Sequence, residues 1–260
     1  IGHVTDIVKH PRVPDKDLFI FDTKNDRLIK TVSSLGTLLY GITVDSKNNV
    51  FISQTDARND INGRSGTKKH TLQELENRAF LNQITSIKAS LNDVDKNFID
   101  LEPAPPLQPK PGEALATPFA IKVTKDDKLV VASAASSDKI FTMDAESGKL
   151  LGNVNVGSVP RGISIEYSHD NKATKAWVLN AVSNSVSLVD LSTPESLKVT
   201  ATITLEDPTH PIFKRGRIAF NAAHASTTET FSCASCHPDG HTDQLLWVLD
   251  TPVVTGGNQI

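Results

Sequence analysis

Pro160-Arg161-Gly162-Ile163-Ser164-Ile165 runs into the polar turn Ser168-His169-Asp170-Asn171, and two more runs, Ala176-Trp177-Val178 and Val186-Ser187-Leu188-Val189-Asp190, follow closely. Apolar and polar side chains alternate with a period of two, the mark of half-buried strands, and turn residues separate the runs. The stretch therefore reads as successive strands of one antiparallel sheet. The same pattern occurs twice upstream. Tyr40-Gly41-Ile42-Thr43-Val44-Asp45 leads through Ser46-Lys47-Asn48-Asn49 to Val50-Phe51-Ile52. Phe119-Ala120-Ile121-Lys122-Val123-Thr124 leads through Lys125-Asp126-Asp127-Lys128 to Leu129-Val130-Val131.

A second register repeats alongside the first. Leu18-Phe19-Ile20-Phe21-Asp22, Ile140-Phe141-Thr142-Met143-Asp144 and Val186 to Asp190 all end in Asp. The chain returns from them through Leu28 to Val32, Leu150 to Val154 and Val199 to Ile203. The terminal aspartates are expected to cap turns. Ala120 and Gly162 are 42 residues apart, within the ~40–45 residues of a four-stranded propeller blade. The Pro-x-Gly-Ile-x-Ile run, the Asp-bearing turn and the strand ending in Asp resemble the YVTN family of β-propellers over most of residues 17–205. The expected fold is mainly β: a β-propeller of about three to four four-stranded antiparallel blades over residues 1–208. Trp177 is expected to pack in the core or between blades.

One blade is stretched, because Gly41 and Ala120 are 79 residues apart. The excess is placed at about residues 57–81 and in the proline-rich run Pro103 to Pro111. Asp56 to Gly63 has oxygen-rich spacing loosely like a calcium loop, although a solvated loop is the plainer reading. Thr71-Leu72-Gln73-Glu74 reads as a capping box opening a short helix that reaches Phe80. Residues 1–35 look like the last two strands of a blade whose first half lies upstream. With the abrupt end Gly256-Gly257-Asn258-Gln259-Ile260, this suggests a piece of a longer chain.

Composition narrows the function. The 260 residues are 38% apolar with a formal charge of −3, and the mean hydropathy is −0.22. These values suit a globular chain and argue against a general nucleic-acid binder. No run approaches the ~20 apolar residues of a membrane span.

The only two cysteines fall in Cys233-Ala234-Ser235-Cys236-His237. Cys-x-x-Cys-His is the attachment signature of a c-type haem. Two thiols at this spacing can form thioethers to the two vinyl groups of one haem, and His237 is then the proximal iron ligand. One covalent haem c is the cofactor expected in this chain. Three other readings compete. An iron–sulfur cluster wants four thiolates. A zinc site would use Cys233, Cys236 and His241, completed by His237 or water. A redox dithiol wants a βαβ setting that is missing here.

Gly216-Arg217-Ile218-Ala219-Phe220, Ser226, Phe231-Ser232 before the motif and Gly240-His241-Thr242-Asp243 after it resemble the bacterial di-haem cytochrome c peroxidase family over about fifty residues. The resemblance implies a short, mostly α or irregular, cytochrome c-like segment over 209–260. It also implies a second haem, but there is no second Cys-x-x-Cys-His, and no methionine follows His237. The sixth ligand and much of the pocket are thus expected from elsewhere: a further haem domain, a redox partner or other subunits. His224 is weighed as a distal ligand, and His241 as a propionate or hydrogen-bond partner. Lys214, Arg215 and Arg217 are candidates for pairing propionates. Trp247, Leu245 and Leu246 are expected to pack on the haem edge. Covalent attachment places the protein outside the cytoplasm, in the periplasm or at the cell surface. The expected function is electron transfer or peroxidase-like chemistry with the propeller as docking scaffold. The alternative is a surface binding or assembly module with a structural haem or zinc knuckle.

Overall fold

A computed structural model describes residues 15–59, 61–62, 71–89, 94–245 and 247. Alternating side chains and Asp-bearing turns give fourteen strands. They are β1 (Leu18–Asp22), β2 (Arg27–Val32), β3 (Leu38–Val44), β4 (Asn49–Ala57), β5 (Phe80–Ala89), β6 (Val94–Asp100) and β7 (Pro118–Val123). Then come β8 (Leu129–Ala134), β9 (Lys139–Asp144), β10 (Leu150–Asn155), β11 (Pro160–Tyr167), β12 (Ala173–Asn180), β13 (Ser185–Asp190) and β14 (Lys198–Thr204). They form three four-stranded sheets in chain order, β3–β6, β7–β10 and β11–β14, and the pair β1–β2. Every pairing is antiparallel. By the repeat, β1 and β2 correspond to the third and fourth strands of a blade.

The sheets stack face to face, and alternation decides which side chains meet. In β8, Val130 and Ala132 join Phe51, Ile84 and Leu101 of the preceding sheet, while Val131 joins Ala176 and Val178 of the next. Burying side chains of this size stabilises by about 1.5–3 kcal/mol each. Val32 packs the first pair onto Val50, Ile52 and Ile87. The first strands of the three sheets, β3, β7 and β11, run side by side.

Close approach there requires a glycine. A Cβ at Gly41 would meet the Phe119 carbonyl oxygen at 2.3 Å and Ser53 Oγ at 2.8 Å. Backbone cannot give way as a flexible side chain can. Gly41→Ala is expected to lower stability by about 1–3 kcal/mol in a denaturant titration. A variant as stable as the parent would contradict this close approach.

The aspartates at strand ends do cap turns. Asp22 accepts from the Lys24 amide at 2.9 Å, Asp144 from Ser147 at 2.8 Å and Asp190 from Ser192 at 2.8 Å. Three expectations change. The helix expected to reach Phe80 is a single 3-10 turn, Thr71–Leu75, and Phe80 opens β5. The stretched blade holds its own third and fourth strands, β5 and β6. Trp177 is 38% exposed, and its indole N–H donates to Glu166 at 3.3 Å, so it does not lie in the core. Asp60 and Gly63 of the calcium-like loop lie outside the described residues, and Asp56 accepts from Thr37 Oγ1 at 3.2 Å.

Residues 205–245 carry little regular structure: α1 (Pro211–Asn221), the one-turn helix α2 (Cys233–Cys236) and two 3-10 turns. A cytochrome c-like helical domain is therefore not seen among the described residues.

Candidate functional site

The segment after β14 is tied first to the last sheet. Pro211 opens α1, and His210 caps it by accepting from the Ile212 amide at 3.3 Å. Lys214 on α1 donates to the Ser183 carbonyl at 2.9 Å and pairs with Asp207 at 3.0 Å. The Lys214 contact and then the Thr209 amide hold the Asp207 carboxyl down at about 2. A lowered value gives stability that is present above the ordinary 3.8 and is lost as pH falls toward 2. NMR titration is expected to place the Asp207 midpoint near pH 2. Lys214→Met should return it toward the ordinary range, and an unshifted parent value would refute the tether.

The chain then crosses back over the sheets. Thr228 Oγ1 donates to the Asn77 carbonyl at 2.8 Å, and Asn82 Nδ2 donates to the Thr230 carbonyl at 2.9 Å. Glu229 accepts from the Gly112 amide at 2.6 Å, and the Ser136 and Ser232 hydroxyls are 3.2 Å apart. These bonds deliver Ser232 to a fixed place, where it caps α2. A reciprocal capping box joins Ser232 and Ser235, with the Ser232 amide donating to Ser235 Oγ at 3.0 Å.

One helical turn brings the motif together. Both cysteines are free thiols, Cys233 exposed and Cys236 half-buried. Burial, then Asp243 and Cys233, pushes the Cys236 thiol up to about 12. His237 closes the turn, its amide donating to the Cys233 carbonyl at 3.0 Å. His237 Nδ1 lies 2.9 Å from the His241 carbonyl oxygen. A carbonyl can only accept, so Nδ1 carries a proton, and in the neutral ring Nε2 is the nitrogen with the lone pair. The loop folds back because Asp239 and Gly240 adopt left-handed φ values of 52° and 82°. Asp239 is paired with Arg161 of β11. Asp243 returns an amide to the Cys236 carbonyl at 2.8 Å and accepts from Trp247 Nε1 at 2.8 Å.

The other candidates fare differently. Arg217 donates to Thr209 Oγ1 at 2.8 Å, Lys214 is engaged with Asp207, and Arg215 stands exposed. His241 contributes its backbone carbonyl, while its side chain is exposed. Trp247 packs on Phe80 with ring centroids 5.4 Å apart, in a cluster with Leu75 and Ala79. Cys236 and Leu245 border that cluster, so Trp247 anchors the loop to the stretched blade. Leu246 lies outside the described residues. His224 lines a cavity of about 220 Å³ with Asp138, Lys139 and Glu229, apart from the Cys233–His237 turn. Among the described residues no three His, Cys, Asp or Glu side chains converge as metal ligands. A zinc knuckle needs three or four.

The sheets define a mainly β, propeller-like protein with an α2 turn laid across it. No family model matches the sequence, and no curated protein matches it. Among solved structures, the Kuenenia stuttgartiensis hydrazine synthase is similar, at 12% identity and a TM-score of 0.51, over 66% of this chain and 51% of its own. A streptogramin B lyase matches at 12% identity and a TM-score of 0.43, over 77% of this chain and 58% of its own. Likeness at this identity bears on the fold alone and lends no support to the peroxidase-family resemblance. The chain spans about half the length of the solved structures it first matches.

Proposed function

We propose that this chain is a c-type haem protein, with haem bonded through Cys233 and Cys236 and ligated by His237, serving electron transfer outside the cytoplasm. The observation that carries this reading is the 2.9 Å contact of His237 Nδ1 with the His241 carbonyl. It fixes the tautomer a metal-binding imidazole needs and makes Nε2 more basic. Haem iron asks for only one ligand from this turn, which suits the lone free imidazole nitrogen better than a site wanting several ligands. Cys233 is exposed and Cys236 half-buried, so one thiol faces outward and the other is set against the Phe80–Trp247 cluster. Beside α2, α1 leaves Ile212, Phe213 and Phe220 at 57%, 68% and 36% exposure. An apolar macrocycle is a fitting cover for such side chains.

Bound haem supplies one-electron chemistry at its iron. The protein's share is to hold two thiols in one turn, orient His237 through the His241 carbonyl and keep the loop in place through Asp239 and Asp243. The propeller acts as the scaffold on which a redox partner or a further haem domain docks. Peroxidase-like chemistry needs an open sixth position. The test is a pyridine haemochrome spectrum of denatured protein. A c-type band that stays with the polypeptide supports the reading. Protein without haem but with stoichiometric zinc overturns it in favour of a propeller carrying a metal knuckle.

A further inference from the structure

The contacts between the full sheets are made by the same repeat positions each time. The registers pair Thr43 with Phe51, Lys122 with Val131 and Ser164 with Trp177, so Phe51, Val131 and Trp177 are equivalent in the second strands. Two residues further along the same face, Ser53 pairs with Ile84, Ser133 with Ile140 and Leu179 with Val186, which makes Ile84, Ile140 and Val186 equivalent in the third strands. Phe51 and Ile84 meet Phe141 and Met143 of the following sheet in one buried cluster. Val131 and Ile140 meet Val178 and Val189 of the next sheet in another. Phe141 and Met143 stand three and one positions before the Asp that closes their strand.

The two ends of the stack expose the two halves of this contact. Phe19 and Phe21 stand three and one positions before Asp22. They are the equivalents of Phe141 and Met143, yet they are 46% and 55% exposed where the other two are fully buried. At the far end, Trp177 and Val186 are the equivalents of Phe51 and Ile84. Trp177 and Leu179 are exposed, and Val186 and Leu188 beside them are half-buried. Ile203, paired with Val186, is exposed and extends the face onto β14. Contiguous exposed apolar side chains of this kind mark an interaction surface.

We propose that two copies of this chain associate head to tail, the Trp177–Val186 face of each seated on the Phe19–Phe21 face of the other. The occupant follows from the repeat. Inside the fold, the face built like Trp177 and Val186 is covered by a strand built like β1, and this chain carries both. A contact between two different faces either closes into a ring or runs on as a filament. Each chain supplies four sheet positions, the β1–β2 pair and three full sheets. Two copies therefore reach the upper end of the ~4–8 blades of a closed propeller, and three copies exceed it. The assembly is thus a closed pair. It stands apart from the haem reading, so each fails by its own test.

The test is the mass of the 260-residue chain in solution, by sedimentation from below 1 μM to about 100 μM, a span suited to interfaces of ordinary size. The parent is expected at twice the 28.1 kDa of one chain, plus any attached haem. Phe21→Asp and Leu179→Asp each put a charge into one face at an exposed position. Each variant alone should be a monomer, because both contacts of the ring use both faces. Mixed together, the two should form a one-to-one complex through their remaining intact faces. It should be weaker than the parent pair by about 10²–10⁴-fold, since one contact replaces two. Circular dichroism checks that the variants keep their sheets, and the mass of the parent decides the proposal without them. A parent that stays monomeric overturns it. A mass that keeps growing with concentration overturns the closed ring. Either variant remaining a dimer reveals a like-to-like contact and overturns it as well.

Discussion

Replacing Glu102 with alanine is expected to cost about 3–5 kcal/mol of unfolding free energy, enough to leave a domain of ordinary stability partly unfolded. Glu102 and Arg78 have side chains only 1% exposed and pair at 3.3 Å. Asn82 Nδ2 donates to both carboxylate oxygens at 3.0 and 3.1 Å, and the Leu115 amide donates at 3.1 Å. Arg78 also donates to the Pro103 and Leu107 carbonyls at 3.0 and 3.2 Å. Removing the carboxylate leaves a guanidinium buried without its counter-charge and strands the Leu115 amide. Taking both charges away should cost far less, because the desolvation of two ions is removed with them. Glu102→Leu with Arg78→Met should therefore recover much of the loss. Chemical denaturation of the two single variants and the double variant measures this, and a loss below about 1 kcal/mol for Glu102→Ala would show that the pair does not hold the fold.

The largest functional effect is expected at the Cys-x-x-Cys-His turn. Cys233→Ala with Cys236→Ala should abolish haem that survives denaturation, because no thiol remains to form a thioether. Each single variant should keep a weaker, one-bond attachment. Cys236→Ala should also cost about 1 kcal/mol of stability, because its sulfur packs against the Leu75–Phe80–Trp247 cluster. His237→Ala should retain covalent haem and alter the reduced absorbance spectrum through loss of the axial imidazole. If His237→Ala left that spectrum unchanged, the ligand assignment would be wrong. Denaturing gels stained for haem, read beside the spectra, separate attachment from ligation.

Much of the fold is legible in the sequence where neighbouring residues carry it. β7–β14 read clearly because Ile, Val and Leu recur against polar residues and Asp-bearing turns follow β7, β9 and β13. β5 does not. Its Asn82, Gln83 and Thr85 are polar yet buried, Gln83 bonded across the sheet to Asp100 and Asn82 into the Glu102 network, and this breaks the apolar signal. A sequence-local reading assigns Phe80 to a helix. The site divides in the same way. Cys233, Cys236 and His237 are adjacent in sequence and are found together. The bonds that place them join residues far apart: Asn82 to Thr230 across 148 positions, Arg161 to Asp239 across 78. The contact that anchors Trp247 is as remote. Its partner, Phe80, lies far upstream and gives no local cue.

The Asn82–Thr230 bond carries a consequence for the order of events along the nascent chain. Asn82 also accepts from the Thr117 amide at 2.8 Å, so it must first be fixed by the stretched blade and the strand after it. Only then does it offer a donor to a carbonyl 148 residues away. Closing so long a loop is slow and entropically costly until the earlier sheets exist. The Cys-x-x-Cys-His turn is thus among the last parts to become rigid, and it reaches any modifying enzyme first as a pliant peptide.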